Sequence, residues 1–194
     1  MGKKVHVESI RRFIKETPAF RSRDIETLVG EKRYALLALH NLAKKGEIHR
    51  ITRGWYSILD DPTTAVFAFA PAYLGLQEAL SIRDLWEQET NVVVVTTGKQ
   101  KPGVREVFGN AMVLHRINSN YFFGFDYIRY GGFNSVPVSD LEKTLIDLVY
   151  FHESPGQDIL KRLIKRADKK VLSQYLNRYP GAFRSRFKNE TALL

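Results

Sequence analysis

The sequence predicts an α+β protein in two parts: a small helical unit that closes with a hairpin, then a mixed body with a small sheet and late helices. Three observations point there. Residues 21–58 read as two short helices followed by a tight basic turn between two strand-like runs. Asp60-Asp61-Pro62 then interrupts the chain at a reversal of charge, where a proline cannot continue a ladder. Beyond it, strand-like runs give way to amphipathic helices. The expected units are therefore residues 1–61 and residues 62–194.

In the first unit, Ile10, Phe13 and Ile14 share one face of a helix expected over about 5–16. A second helix, about 22–29, opens at Ser22, whose hydroxyl suits an N-cap. A third carries Ala35, Leu36, Leu39 and Leu42 three and four residues apart, which assigns them to the buried face. Its outer face then holds Lys32, Arg33, Asn41, Lys44 and Lys45. Gly46 ends this helix. Ile48–Ile51 and Trp55–Ile58 read as strands joined by Thr52-Arg53-Gly54, with glycine where a three-residue hairpin loop needs positive φ. Two helices and a basic hairpin are the plan of a winged helix-turn-helix, and a helix fit for the major groove beside a wing with Arg50 and Arg53 points to DNA binding.

Charge agrees with that division. Residues 1–59 hold 13 Lys and Arg against 6 Asp and Glu, residues 60–160 hold 7 against 13, and residues 161–194 hold 10 against 2, within a net +9. Basic ends around an acidic middle suit a chain whose ends meet a polyanion. There is no cysteine, which excludes disulfides and zinc-thiolate sites and makes the cytoplasm the expected compartment. The longest apolar stretch, Ala65–Leu76, is about a dozen residues with Pro71 inside it, too short to span a bilayer.

The body is expected to open with a helix near 72–87, then a strand over Asn91–Thr97 and strand-like runs at about 111–117, 121–128 and 133–138. Asn118-Ser119-Asn120 and Gly131-Gly132 separate those runs. Ser139-Asp140-Leu141-Glu142 fits a capping box and starts a helix with Leu141, Leu145, Leu148 and Val149 inward. Helices over about 157–167 and 168–178 carry Lys161, Arg162, Lys165, Arg166, Lys169 and Lys170 outside their apolar faces.

Catalytic constellations are absent from the sequence pattern. His6, His40, His49, His115 and His152 form no helical metal-ligand pair, Gly98-Lys99 lacks the rest of a phosphate-binding loop, and no Gly-x-Ser-x-Gly elbow or Asp-x-Asp pair occurs. Glu142 and Asp147 share a helix, but Glu142 already has a capping task. No enzyme activity, metal or cofactor is expected.

The candidate DNA-binding residues are Ser22, Arg23, Lys32, Arg33, Tyr34, Asn41, Lys44, Lys45, Arg50 and Arg53. Arg33, at the start of the third helix, is the first choice for a base contact, because a guanidinium there donates two hydrogen bonds to guanine. Lys44, Lys45, Arg50 and Arg53 suit phosphates or an adjacent minor groove. The same scaffold also docks proteins with its cations merely solvated; concentration of charge on the helix and hairpin favours DNA.

The chain resembles the AbiEi-type antitoxin regulators of the AbiE toxin-antitoxin phage-defence systems. Phe20-Arg21-Ser22-Arg23-Asp24-Ile25, Leu42-Ala43-Lys44-Lys45-Gly46 and Arg53-Gly54-Trp55-Tyr56 look like that family's N-terminal domain. Pro71-Ala72-Tyr73-Leu74-Gly75-Leu76-Gln77-Glu78-Ala79-Leu80, Leu85-Trp86-Glu87-Gln88 and Glu142-Lys143-Thr144-Leu145-Ile146-Asp147 look like the helices on either side of its sheet. Arg83-Asp84-Leu85 departs from the glycine that commonly follows the first of these. The resemblance covers roughly 7–152 and implies a regulator that binds inverted repeats in double-stranded DNA upstream of its own operon and counters a nucleotidyltransferase-type toxin, directly or indirectly; a homodimer on the DNA is a separate expectation, which the sequence does not fix. Two other classes compete: a winged-helix regulator with a ligand-sensing second domain, and a nucleic-acid-processing enzyme.

Overall fold

The computed structural model describes residues 2–88, 90–130, 133–153 and 155–191. It is a mixed α+β fold with two sheets and, among the described residues, nine α-helices. No helix among the described residues is long and apolar enough to cross a membrane.

The chain begins with α1 (Gly2–Lys15), whose Ile10 and Ile14 are buried as the periodicity requires. A two-residue strand, β1 (Phe20–Arg21), precedes α2 (Ser22–Val29) and α3 (Lys32–Lys44), and the hairpin β2 (His49–Thr52) and β3 (Trp55–Ser57) follows. β3 lies at the centre of a three-stranded sheet, with β1 pairing antiparallel on one side and β2 on the other. The turn glycine Gly54 has φ 76°, the conformation that the loop chemistry requires.

Two local expectations need correction. Ser22 is the first helical residue rather than the cap; the N-cap is Arg21, whose amide donates to the Asp24 carboxylate at 2.7 Å. Leu36 is on the surface, because α3 buries Ala35, Ala38, Leu39 and Leu42 instead. An alanine at position 38 completes the inward stripe, and its small side chain hides it from a pattern search for large residues.

After a 3-10 turn at Pro62–Thr64, capped by the Asp61 side chain, the body runs α4 (Ala65–Ala68), β4 (Ala72–Leu74), α5 (Leu76–Ile82), β5 (Val92–Thr96), β6 (Gly103–Val107), β7 (Asn110–Arg116), β8 (Phe125–Tyr130) and β9 (Phe133–Ser139). α6 (Leu141–Tyr150), α7 (Gln157–Arg166), α8 (Lys169–Leu176) and α9 (Gly181–Thr191) complete it. The sheet is not small: six strands run in the order β6-β7-β5-β4-β9-β8, with β7-β5 and β4-β9 parallel and the other pairs antiparallel. Residues 72–74 are a central strand rather than a helix start, for all three side chains are buried and the two faces meet different cores. Gly131-Gly132 lies outside the described residues.

Both sheet faces are covered. Tyr73, Val93 and Val95 point to a core built with α5 through α9, while Leu74, Val92, Val94, Met112, Leu114, Val136 and Val138 point to a second core with α4. Ile51 of the hairpin is buried in that second core, with Ala19, Trp55 and Leu59 packed against it. His49 stacks edge-on against Phe108, ring centroids 5.8 Å apart. The boundary near Asp61 is thus crossed by a shared apolar cluster.

A chain beginning at residue 62 would lose the Ile51 and Trp55 cover. Urea unfolding should show it less stable than the full chain, with a hydrophobic dye bound in the native baseline; equal stability and no dye binding would mean the hairpin contributes nothing to the body.

Candidate nucleic-acid interface

Arg33, His40 and Lys44 lie within about 20° of one line down α3, opposite its buried stripe, because seven and eleven residues are close to two and three turns. All three side chains are exposed. Gly30, with φ 75°, ends α2 and sets the turn into α3; its amide donates to the Glu26 carbonyl at 2.8 Å. The Glu31 side chain makes no cap bond at the start of α3, where Lys32 and Arg33 stand exposed. The helix contains no Asp or Glu.

The hairpin is tied to α2. The Ser22 amide donates to the Gly54 carbonyl at 2.9 Å, and the Arg21 guanidinium lies 5.7 Å from the Trp55 ring centroid. Ser22 therefore locks the turn that carries Arg53, while Arg23 is exposed on the first turn of α2. Arg50 and Arg53 are exposed, with the Arg50 Nε–H donating to the Thr52 carbonyl at 3.4 Å. Arg11 makes a two-pronged bond to Glu47 (2.8 and 2.9 Å), holding α1 against the approach to the hairpin and keeping the Glu47 carboxyl below its usual range. Among the described residues, Lys32, Arg33, Lys44, Lys45, Arg50 and Arg53 make no ion pair.

The expected set does not all converge. Tyr34, Asn41 and Lys45 line a cleft of about 150 Å³ between α1 and α3, floored by Ile10, Ala38 and Leu42, and turn away from the line of Arg33 and Lys44. The sequence pattern left out His40, which its seven-residue spacing from Arg33 could have shown, and exposed Leu37, and it placed exposed Leu36 in the core on apolar character.

A second constellation sits inside the body. Tyr73 Oη donates to Asp147 Oδ2 at 2.6 Å, and the buried Lys143 ammonium donates to the other Asp147 oxygen and to Tyr179 Oη at 3.2 Å. Phe123 and Tyr179 rings flank that ammonium at 5.4 and 5.9 Å. Burial pushes Lys143 below its ordinary value and Asp147 above its own, each opposed by the other's charge. Burial and Asp147 together raise Tyr73 well above its usual range, so it remains a donor. Gly124 permits this closeness, since a Cβ there would sit 2.8 Å from Lys143 Cβ and 2.8 Å from the Tyr175 ring.

Neither partner of the expected capping box caps. Asp140 is the N-cap, accepting from the Lys143 amide at 2.7 Å, while Ser139 Oγ bonds Thr144 Oγ1 at 2.7 Å and Glu142 accepts from the Asp168 amide at 2.6 Å, tying α6 to α8. Ser139 is fully buried, which leaves its hydroxyl to the interior. Glu142 and Asp147 thus act as separate joints.

A cleft of about 350 Å³ opens where the loop after α5 meets α7, lined by Asp84, Trp86, Glu87, Arg162 and Arg166. The Trp86 indole N–H is buried without a hydrogen-bond partner among the described residues. No group of three His, Cys, Asp or Glu among the described residues could hold a metal ion.

No protein-family profile matches this chain, and no curated protein sequence matches it. A solved structure, the Rv2827c protein of Mycobacterium tuberculosis, superposes with a TM-score of 0.62 at 12% identity, over 97% of this chain and 76% of that one. The likeness is one of fold.

Asp147→Ala would leave the Lys143 ammonium buried without its counter-charge and should cost about 3–5 kcal/mol in urea unfolding. Replacing both, Lys143→Met with Asp147→Leu, should recover the part of that loss due to the unpaired charge, leaving about 1–3 kcal/mol for the Tyr73 hydroxyl that has lost its acceptor. A double variant as unstable as the single one would show that the network is more than a paired joint.

Proposed function

We propose that this protein is a DNA-binding transcriptional autoregulator and antitoxin of the AbiE type, whose N-terminal part acts as a winged helix-turn-helix and which is not an enzyme. One observation carries the DNA-binding half: among the described residues, the outward face of α3 and the turn of the hairpin present cations without carboxylate partners, on a chain whose middle stretch, residues 60–160, is acidic. In this reading α2 crosses the backbone, α3 enters the major groove with Arg33 at base edges, and Arg50, Arg53 and Lys44 neutralise phosphates. Lys45, Asn41 and Tyr34 move to the flank of the contact. A homodimer on inverted repeats would follow from the symmetry of such operators.

The antitoxin half rests on the resemblance. It is supported by the way Tyr73 and Lys143–Asp147, from two separated motifs that carry it, join in one buried bond network. The motifs would then build the scaffold that presents the body to a nucleotidyltransferase-type toxin. A second reading, a ligand-sensing body, is favoured by the cleft where Arg162 and Arg166 stand beside Trp86.

The test is binding of the full chain to the duplex upstream of its own gene and to a scrambled duplex, at several salt concentrations. Arg33→Ala should cost about 1–3 kcal/mol on the upstream duplex alone, for a lost bidentate contact acts at one base pair. Lys44→Ala should weaken both duplexes alike and reduce the salt slope by about 1. Equal loss on both duplexes for Arg33→Ala would remove it from base reading, and no duplex binding by the native chain would remove the function.

A further inference from the structure

Leu36 and Leu37 are 48% and 58% exposed, and Leu37 also edges the cleft between α1 and α3 that Tyr34, Asn41 and Lys45 line. With Leu28 of α2, 42% exposed, they account for three of the five large apolar side chains left open among the described residues. They stand in the second turn of α3, on either side of the line through Arg33, His40 and Lys44, at about 60° and 40° from it. Their neighbours on that face are cations and an imidazole.

We infer that Leu36 and Leu37 are the apolar readers of the interface and contact thymine C5-methyl groups in the major groove next to the guanine taken by Arg33. The inference rests on the DNA-binding reading above and adds a specificity to it. A protein partner would meet the same leucines through a rim of unpaired positive charge, which a nucleic-acid backbone neutralises and an ordinary apolar protein surface does not. In the major groove the thymine methyl is the one apolar group that a base edge displays, and it is matched by apolar side chains. The distance fits: Leu37 lies one turn, about 6 Å, along the helix from Arg33, which is under two base steps of about 3.4 Å. The preferred half-site should therefore carry thymine, on either strand, within two steps of that guanine.

The test uses the full chain and duplexes selected by it from a random library at fixed salt. Thymine is expected beside the selected guanine. Replacing those thymines by deoxyuridine removes only the methyl groups, and should weaken binding about fourfold for each methyl buried. The variant Leu36→Ala with Leu37→Ala should bind thymine and uracil duplexes equally while keeping the native salt slope. Native binding indifferent to the methyls overturns the assignment and leaves DNA binding standing. Loss of all duplex binding in the leucine variant, together with a change from dimer to monomer, also overturns it, since the leucines would then be a protein contact. Failure of the native chain to select any duplex overturns both readings.

Discussion

Both faces of the central sheet must be hidden from water, and most of this architecture follows from that requirement. In β4 and β5 every side chain is buried, alternating between two cores. Five helices cover one face. The other is covered by α4 and by the β2–β3 hairpin, which gives up Ile51 to it. A hairpin used in this way cannot swing freely, and the bond from Ser22 to Gly54 passes its fixed position on to α2. The helix pair is thereby oriented with respect to the body, and the outward face of α3 is the one that the docking leaves uncovered.

The same economy explains the polar interior. Buried charges are tolerated only when paired and hydrogen-bonded. Lys143 meets Asp147 one turn along α6, Tyr73 supplies a second donor from the centre of the sheet, and aromatic rings surround the ammonium. Residues that look like chemistry in a motif are here an anchor between β4 and α6. Their spacing alone does not show the anchor; their burial and mutual bonds do.

Elements whose periodicity is carried by large residues were legible in the sequence. α1, α2, α3, the hairpin with Gly54, β5 and α6 to α8 fall near their expected places. β4 was misread because a strand buried on both faces has no two-residue alternation, and Ala72-Tyr73-Leu74 runs straight into helical residues. β1 and β6 were missed for opposite reasons: one is two residues long, and the other is an edge strand whose side chains are mostly exposed. α9 was missed because its apolar residues are too sparse for a face to show. At the interface, the cations were found by charge, whereas Leu36 was assigned to the wrong side. Only the position of Ala38 on the buried stripe reveals the true rotation of α3.

That rotation is the central claim, and the chain's lack of cysteine permits a direct measurement. Single substitutions His40→Cys and Lys44→Cys on α3, and Lys165→Cys and Lys169→Cys on the basic late helices, give four reporters for maleimide labelling with and without a saturating duplex that the full chain binds. Strong protection is expected at positions 40 and 44, with positions 165 and 169 labelled at unchanged rates. Protection confined to 165 and 169 would put the nucleic acid on the late helices and contradict the account.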